Sequence, residues 1–168
     1  MTALAIVKGS AADIPRLEPL WVAVHHVHIA SMPELAPYVS DAETWAELRR
    51  HYDSLFVKPD TELLLAFDGE ALVGYALTHV LPVEETFIPD TWRTGERIGE
   101  LESLSVLPSH RDKGIGSALL DAVDASFEAR GVRDVIVGAL AGNDGALRLY
   151  ERRGFRPTWL YLSRFEGR

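Results

Sequence analysis

Runs of apolar residues with few charges predict the strands of this chain. The clearest pair lies over 62–67 and 71–81, joined by an Asp-Gly turn of the hairpin type. Another strand, 101–107, ends at Pro108, because proline cannot donate to a strand ladder. Shorter strands are predicted over 3–7, 134–139 and 161–165, and the last of these closes the sheet.

Apolar residues that recur every three or four positions predict four helices. In the third helix Ile115, Leu119, Val123 and Phe127 form one face, and Gly131 follows as a natural end. The order of elements, a hairpin followed by β-α-β-α-β, favours an α/β (α+β) mixed sheet over a doubly wound fold. The other predicted helices cover about 13–29, 41–55 and the segment from Asn143 or Asp144 to Gly154, while 82–95 has too little periodicity to assign.

The segment 111–117, Arg-Asp-Lys-Gly-Ile-Gly-Ser, lies at the joint between a predicted strand and a predicted helix. Gly114 and Gly116 lack the Cβ atoms that would keep a pyrophosphate away from the first helical N–H groups, where the helix dipole favours negative charge. Spacing excludes a P-loop, because Lys113 precedes both glycines, and a dinucleotide fingerprint, because Leu119 stands where a small residue is needed. The glycines also fit a plain strand-to-helix turn.

The remaining pattern, Arg-x-x-Gly-x-Gly directly after a strand, resembles the pyrophosphate loop of the GCN5-related N-acetyltransferase (GNAT) superfamily. Asn143, Ala146, Tyr150 and the closing Gly154-Phe155 resemble the second signature of that family. The resemblance covers 97–165 well and the preceding residues weakly. It implies a GNAT-type mixed central sheet of six to seven strands flanked by about four helices, with splayed fourth and fifth strands.

The resemblance also implies how acetyl-CoA binds. The pyrophosphate meets the loop, the pantetheine arm pairs with the fourth strand like an extra strand, and a backbone N–H of that strand polarises the thioester carbonyl. The residues assigned to acetyl-CoA in this way are Leu104, Ser105, Val106, Arg111, Asp112, Lys113, Gly114, Ile115, Gly116, Ser117, Asn143 and Tyr150.

Acetyl transfer to an amine needs a base for the ammonium and an acid for the leaving thiolate. Glu100 and Glu102 stand two apart on a predicted strand and therefore share a face. The resemblance implies that Glu100, eleven residues before Arg111, holds the base position of several family members, whereas Glu102 lies nearer the expected thioester. Both glutamates also fit as solvated residues of a strand end.

The resemblance makes Tyr150 the acid that protonates the thiolate. A phenol of pKa about 10 is an adequate acid for a thiol of pKa about 8.5. Tyr150 also fits as an aromatic residue packed on the core face of its helix.

The histidines define no metal site, and none is predicted. His25 and His28 share a helix face with His26 beside them, but no cysteine is available and a third ligand would have to come from elsewhere. A wall of the acceptor pocket and ordinary helix-end positions are the alternatives for these three. His51 and His79 are isolated in the sequence.

Composition narrows the function class. A chain of 168 residues with 47% hydrophobic and 25% charged residues fits one domain over 1–168. Seventeen basic against 25 acidic residues give a net charge of −8, so no footprint for nucleic acid or an anionic membrane is present, and a cationic acceptor is favoured. No cysteine is available for a thioester-linked acyl-enzyme. The absence of an export signal or an apolar run of membrane-spanning length predicts a cytoplasmic location.

These observations predict an acetyl-CoA-dependent N-acetyltransferase that transfers its acetyl group directly to the primary amine of a small molecule, an amino acid derivative, or a peptide or protein amino group. A homodimer is a further expectation. Two other classes stay open: a non-catalytic CoA-binding regulator, and an interaction module that binds no coenzyme. The acceptor is not named by the sequence, since its walls come from the first two helices and 82–96, where the resemblance fails.

Overall fold

Five strands form one sheet in the computed structural model of the chain, which describes residues 4–166. The strand order is β1-β2-β3-β4-β5; the first four strands pair antiparallel, and β5 pairs parallel to β4. The sheet is therefore mixed, as the sequence predicts. The strands are β1 (Leu4–Lys8), β2 (Glu62–Asp68), β3 (Ala71–Pro82), β4 (Arg97–Val106) and β5 (Asp134–Val137).

Four α-helices cover the two faces of the sheet. Helices α1 and α2 contribute Leu20, Trp45 and Tyr52 to a core on one face, and α3 contributes Leu119 and Phe127 to the core on the other, which α4 joins through its Tyr150. The fold therefore has three layers, with the sheet in the middle. The helices are α1 (Glu18–Ser31), α2 (Asp41–Leu55), α3 (Ile115–Ala129) and α4 (Asp144–Glu151).

Local sequence explains where the helices start. Ser40 accepts a hydrogen bond from the Glu43 amide while the Glu43 carboxylate accepts one from the Ser40 amide, a capping box that fixes the start of α2. A 3-10 helix, Ala11–Leu17, precedes α1, so the predicted helix over 13–29 is a 3-10 turn followed by an α-helix. Prolines at 15 and 19 remove backbone donors at this junction.

The predicted last strand, 161–165, is wrong. Residues 155–166 have no regular secondary structure, and Leu160, Tyr161 and Leu162 are 76%, 89% and 96% exposed. The sheet has five strands instead of the expected six to seven. An alternating apolar pattern becomes a strand only where a neighbouring strand supplies hydrogen bonds, and this segment pairs with no described strand.

Smaller differences concern element boundaries. Strand β5 stops at Val137 rather than 139, and the unassigned segment 82–95 contains two short 3-10 turns. The predicted first strand began at Ala3, which lies outside the described residues. None of the helices between residues 4 and 166 is both long and apolar enough to cross a bilayer.

Candidate active site

A β-bulge in β4 determines which side chains face α2. Leu77 and Thr78 are consecutive in β3 but pair with Ser103 and Leu101, which leaves Glu102 as an extra residue in β4. Leu101 packs in the core beneath α3, whereas Glu102 reaches His51 of α2. The predicted common face of the two glutamates is present, because Glu100 and Glu102 both contact one histidine of β3.

The bulge changes the expected surroundings of the glutamates. Strict alternation would place Leu104 on the face of Glu102, but Leu104 packs against the α3 core. Ser103 and Ser105 face the other way: Ser103 Oγ lies 2.9 Å from the Tyr75 hydroxyl, and Ser105 Oγ donates to the Leu20 carbonyl at 2.8 Å. Because of the extra residue, Glu102, Ser103 and Ser105 all lie on the α1–α2 face of β4, whereas Leu101 and Leu104 lie on the α3 face.

Strands β4 and β5 are paired over only part of their length. Their register runs from Ile98 opposite Asp134 to Leu101 opposite Val137, and β4 continues to Val106. Between residues 102 and 106, therefore, the β5 side of β4 has no strand partner among the described residues. This is the expected splay, and the backbone of Leu104, Ser105 and Val106 lies along the open edge.

Two left-handed residues shape the loop 111–117. Asp112 has φ of 60° and Gly114 has φ of 81°, and Gly114 caps the start of α3. The first amides of α3 at Ile115, Gly116 and Ser117 therefore lie at a helix N-terminus that follows a tight turn. The predicted glycine-rich helix start is present.

Gly116 differs from the glycines that packing requires. A Cβ at Gly99 would lie 2.8 Å from the Phe127 ring, and one at Gly142 would lie 2.5 Å from the Ser31 carbonyl oxygen. At Gly116 a Cβ would meet nothing nearer than Leu149 at 3.6 Å, an ordinary contact. The next atoms belong to Leu104 and Val106, so a Cβ at 116 would face core side chains without a clash, and packing does not require glycine there. The open space lies at Gly114, where a Cβ would meet nothing within 4 Å.

Three side-chain hydrogen bonds to backbone carbonyls hold the loop 111–117 in place. Arg111 Nε donates to the Val106 carbonyl at 3.2 Å, and Lys113 Nζ donates to the Ser109 carbonyl at 2.9 Å. Arg153, which follows α4, donates to the Ser117 carbonyl at 2.7 Å. Sequence reasoning missed the part played by Arg153, because only the folded chain brings the end of α4 beside the first turn of α3. Arg111 also lines a groove of about 410 Å³ along α1.

A cluster of two histidines and two glutamates lies beside the open half of β4. His79 Nε2 is 3.3 Å from Glu102 and 3.4 Å from Glu100, and His51 Nε2 is 2.8 Å from the other oxygen of Glu102. His79 is 5% exposed and belongs to β3, whereas His51 belongs to α2 and is half-exposed. No local sequence pattern pointed to either histidine, since only strand register and helix docking bring them to the glutamates.

The charges in this cluster shift its proton equilibria. Burial lowers the pKa of His79, but the hydrogen bonds and charges of Glu100 and Glu102 outweigh burial and raise it to about 9. The hydrogen bond from His79 lowers the pKa of Glu102, burial opposes it, and the hydrogen bond from His51 lowers it further. At neutral pH the cluster therefore contains an imidazolium beside a stable carboxylate.

The same groups have the donor types of a divalent-cation site. One ligand atom each from His79, Glu100 and Glu102 lies within 4.8 Å of the others. A metal-bound imidazole normally donates its second N–H to a carboxylate or carbonyl, but the buried Nδ1 of His79 has no hydrogen-bond partner among the described residues. The cation that these carboxylates hold in the structure is the imidazolium itself.

Tyr150 lies on the α3 side of the sheet. It is 8% exposed in the apolar core and packs edge-to-face on Phe155 at 5.8 Å. Burial raises its pKa to about 12, and its hydroxyl forms no hydrogen bond with a described residue. Tyr150 thus packs in the core, as one of the two sequence interpretations predicts. At neutral pH it keeps its hydroxyl proton, which no described residue accepts. Leu104 belongs to the same core.

Asn143 caps α4, since its side chain accepts a hydrogen bond from the Ala146 amide at 3.2 Å. The adjacent Gly142 lies directly against the C-terminal end of α1 at Ser31. The second signature therefore builds a tight turn between β5 and α4, and it places that turn beside α1.

The three histidines of α1 diverge. His25 Nε2 is buried 3.0 Å from the Val39 carbonyl, while His26 Nε2 lies 3.0 Å from the Asp41 carboxylate. His28 packs edge-on against Trp21, and burial lowers its pKa. These contacts are structural ones within α1 and the following segment.

Comparison with known proteins gives a consistent result. A sequence profile described as the acetyltransferase (GNAT) family matches residues 21–155. A mycothiol acetyltransferase from Cellulomonas flavigena is 33% identical over 141 residues, which cover 84% of this chain and 38% of that protein. The chain spans about two fifths of the length of the curated relatives that it matches.

Solved structures share the fold. A GCN5-related N-acetyltransferase from Ralstonia eutropha JMP134 superposes with a TM-score of 0.75 at 19% identity, covering 97% of this chain and 99% of the other. The aminoglycoside N-acetyltransferase AAC(6′)-Iy, solved in complex with CoA, superposes with a TM-score of 0.69 at 16% identity, covering 99% and 97%.

Proposed function

The chain belongs to the acetyltransferase (GNAT) family, and from that premise we propose that it is an N-acetyltransferase that moves the acetyl group of acetyl-CoA directly to a primary amine. The observation that carries the proposal is the pair formed by the open edge of β4 and the loop 111–117 at the start of α3. The edge offers unpaired backbone to an extended ligand arm, and the loop offers helix N-terminal amides to an anion.

Gly114 supports the coenzyme assignment most directly. A Cβ at this position would meet nothing within 4 Å, so open space adjoins the first amides of α3. Arg111, Lys113 and Ser117 hold the loop through the contacts described above. Asn143 shapes the turn between β5 and α4 on the far side of the open edge.

The two faces of the sheet supply the two proton transfers of the reaction. The amine nitrogen attacks the thioester carbonyl carbon, the carbon–sulfur bond breaks, and the sulfur leaves with the bonding electrons. A carboxylate of the glutamate pair, Glu100 or Glu102, takes one ammonium proton through a water molecule, and Tyr150 donates a proton to the thiolate. The second proton that the nitrogen loses on forming the amide restores the Tyr150 hydroxyl. No cysteine is available to hold the acetyl group covalently, so direct transfer is the route we propose.

The acceptor that fits the site is cationic. The cluster of Glu100, Glu102 and His79 carries a net charge of −1 when His79 is protonated, and the whole chain carries −8. A second positive group on the amine is favoured there, whereas an acidic amine meets like-charge repulsion. The names of the matched proteins indicate different acceptors, mycothiol and aminoglycosides, so similarity selects neither. A cytoplasmic location, a homodimer and a single domain over 1–168 stay predictions.

Calorimetric titration with acetyl-CoA, followed by thiol release with an amine panel, tests the proposal. The panel contains spermidine, agmatine, glucosamine and an alanyl peptide, with glutamate as the acidic comparison. Gly116→Asp places a carboxylate against the phosphates, so we expect acetyl-CoA affinity to fall at least tenfold, about 1.4 kcal/mol.

The matched control is Val57→Asp, because Val57 is 84% exposed and follows the end of α2 rather than the loop. Unchanged affinity in a folded Gly116→Asp protein contradicts the coenzyme site. Binding of acetyl-CoA without acetylation of any amine favours the non-catalytic regulator, and absence of binding favours the interaction module. A best kcat/KM for glutamate contradicts the cationic acceptor.

A further inference from the structure

We propose that His79 and His51 hold Glu102 as a fixed anion that positions the site, which leaves Glu100, the residue at the family's base position, to receive the amine proton. This inference rests on the proposed acetyltransferase function. It adds three positioning residues, His51, His79 and Glu102, to the glutamate that the resemblance already favours as the base.

The contacts of the two carboxylates are unequal. Each oxygen of Glu102 meets one imidazole nitrogen, Oε1 with His51 at 2.8 Å and Oε2 with His79 at 3.3 Å. Glu100 has one contact, Oε2 with the same His79 nitrogen at 3.4 Å. No described residue forms a hydrogen bond or ion pair with its second oxygen. Glu102 is thus held at both ends, and Glu100 has an oxygen free for a proton.

His51 decides this inequality, because among the described residues it contacts Glu102 and not Glu100. His79 Nε2 lies about equally close to both carboxylates, 3.3 Å from Glu102 and 3.4 Å from Glu100, so they share its single hydrogen. As an imidazolium, His79 also offsets the repulsion between two carboxylates that stand on one strand face. Without it, two negative side chains would face each other beside the buried surface of β3.

Helix α2 completes the support of Glu102. His51 reaches Glu102 itself, and the next residue, Tyr52, lies 3.0 Å from the Tyr75 hydroxyl, which lies 2.9 Å from Ser103 Oγ. Both links end on the bulged part of β4. The titratable groups that face the cluster are therefore His51 and Tyr52 from α2, Tyr75 and His79 from β3, and the glutamates from β4.

The proton movement follows from these positions. One proton passes from the ammonium nitrogen of the acceptor to a water molecule, and the water passes a proton to the free oxygen of Glu100. The nitrogen lone pair then attacks the acetyl carbonyl carbon, the carbon–sulfur bond breaks, and Tyr150 protonates the leaving sulfur. The second proton that the nitrogen loses on forming the amide restores the Tyr150 hydroxyl through solvent. Glu102 and His79 keep their protonation states throughout. Glu100 returns its proton to solvent after the acetylated product leaves.

The kinetic test compares Glu100→Gln and Glu102→Gln with an amine that the panel shows to be accepted. We expect Glu100→Gln to lower kcat/KM by ~10²–10⁴-fold at neutral pH, with a smaller loss at high pH, where free amine is plentiful. Glu102→Gln should lower kcat/KM about tenfold and should still show an acidic limb in its pH–rate profile, at a shifted pH. The control is Glu47→Gln, which removes an exposed carboxylate from α2. Equal losses, or a larger loss in Glu102→Gln, overturn the assignment.

If His79 and Glu102 position the site, substituting them should move the acidic limb of the pH–rate profile in opposite directions. His79→Gln keeps a donor but removes the positive charge, so the glutamate pair takes up a proton more readily and the limb moves to higher pH. Glu102→Gln removes the negative neighbour of Glu100 and moves the limb to lower pH. If the two residues only support the fold, both variants lose rate but their acidic limbs stay at the same pH. Acidic limbs that stay in place, or that move in the same direction in both variants, therefore overturn the positioning role.

Histidine NMR on the free protein tests the cluster without any acceptor. In the wild type we expect His79 to titrate near pH 9, and we expect its pKa to fall in Glu102→Gln and in Glu100→Gln but not in Glu47→Gln. A His79 pKa that stays near 9 in Glu102→Gln overturns the contact between His79 and Glu102. If no panel amine is acetylated, the proposed function fails and the base role of Glu100 fails with it, whereas the NMR titration still decides the anchoring.

Discussion

The two faces of the sheet differ in the kind of side chain that they hold against the helices. On the α3 face, buried Leu101, Leu119, Val123 and Phe127 pack with almost no polar groups between them. On the α2 face, the apolar core of α1 and α2 stops beside β4, and a network of imidazoles, carboxylates and hydroxyls begins there. One face therefore supplies stability through burial, and the other holds charges at fixed positions at a cost in desolvation.

Truncation in the α3 core is expected to give the largest effect on stability. Phe127 is 1% exposed and its ring fills the space left by Gly99. Phe127→Ala should lower the free energy of unfolding by ~3–5 kcal/mol through lost burial and a cavity. Urea unfolding measures this, and histidine NMR should show His79 unchanged in the folded variant. A loss as small as that of the exposed control Tyr161→Ala contradicts the division between the faces.

Tyr150 tests whether the apolar face also takes part in chemistry. Tyr150→Phe removes one hydroxyl from the core and little volume, so stability should change little. If Tyr150 protonates the thiolate, kcat should fall on the order of 10²-fold, or about 2.7 kcal/mol, with little change in acetyl-CoA affinity. Tyr161→Phe is the matched control, since Tyr161 is 89% exposed. A variant that keeps most of its kcat returns Tyr150 to packing alone.

The polar face should show itself in the pH dependence of stability. Because folding raises the pKa of His79 from about 6.5 to about 9, its contribution is complete below pH 6.5 and is lost as the pH rises through 9. The stability advantage of wild type over His79→Gln should therefore shrink by ~3 kcal/mol between pH 6 and pH 10. Urea unfolding at both pH values measures it, with Glu47→Gln as control. A pH-independent difference contradicts an ionised His79.

Local patterns were sufficient to predict the parts of the site that are continuous in sequence. The loop 111–117 and the cap of α4 at Asn143 were both found, because a glycine-rich helix start and an Asn cap depend on neighbouring residues only. The shared face of Glu100 and Glu102 followed from the two-residue repeat of a strand, which holds up to the bulge.

Non-local contacts account for what the sequence did not show. His51 and His79 are 51 and 23 residues from Glu102, and only the β3–β4 register and the docking of α2 bring them together. The bulge was equally hidden, since it results from pairing between two strands rather than from the residues of one. The strand predicted over 161–165 failed for the related reason that a strand needs a neighbour.

The bulge places Glu102 at a position that the pairing of β4 with β3 does not need. Leu101 and Ser103 already pair with consecutive residues of β3, so deleting Glu102 would remove the bulge and leave both neighbours on their present faces. The core contacts of Leu101 and the hydroxyl contacts of Ser103 and Ser105 would be kept, whereas His51 and His79 would lose their common carboxylate. A one-residue deletion here should therefore preserve the fold and remove the anion, which makes this part of β4 tolerant of a change in length.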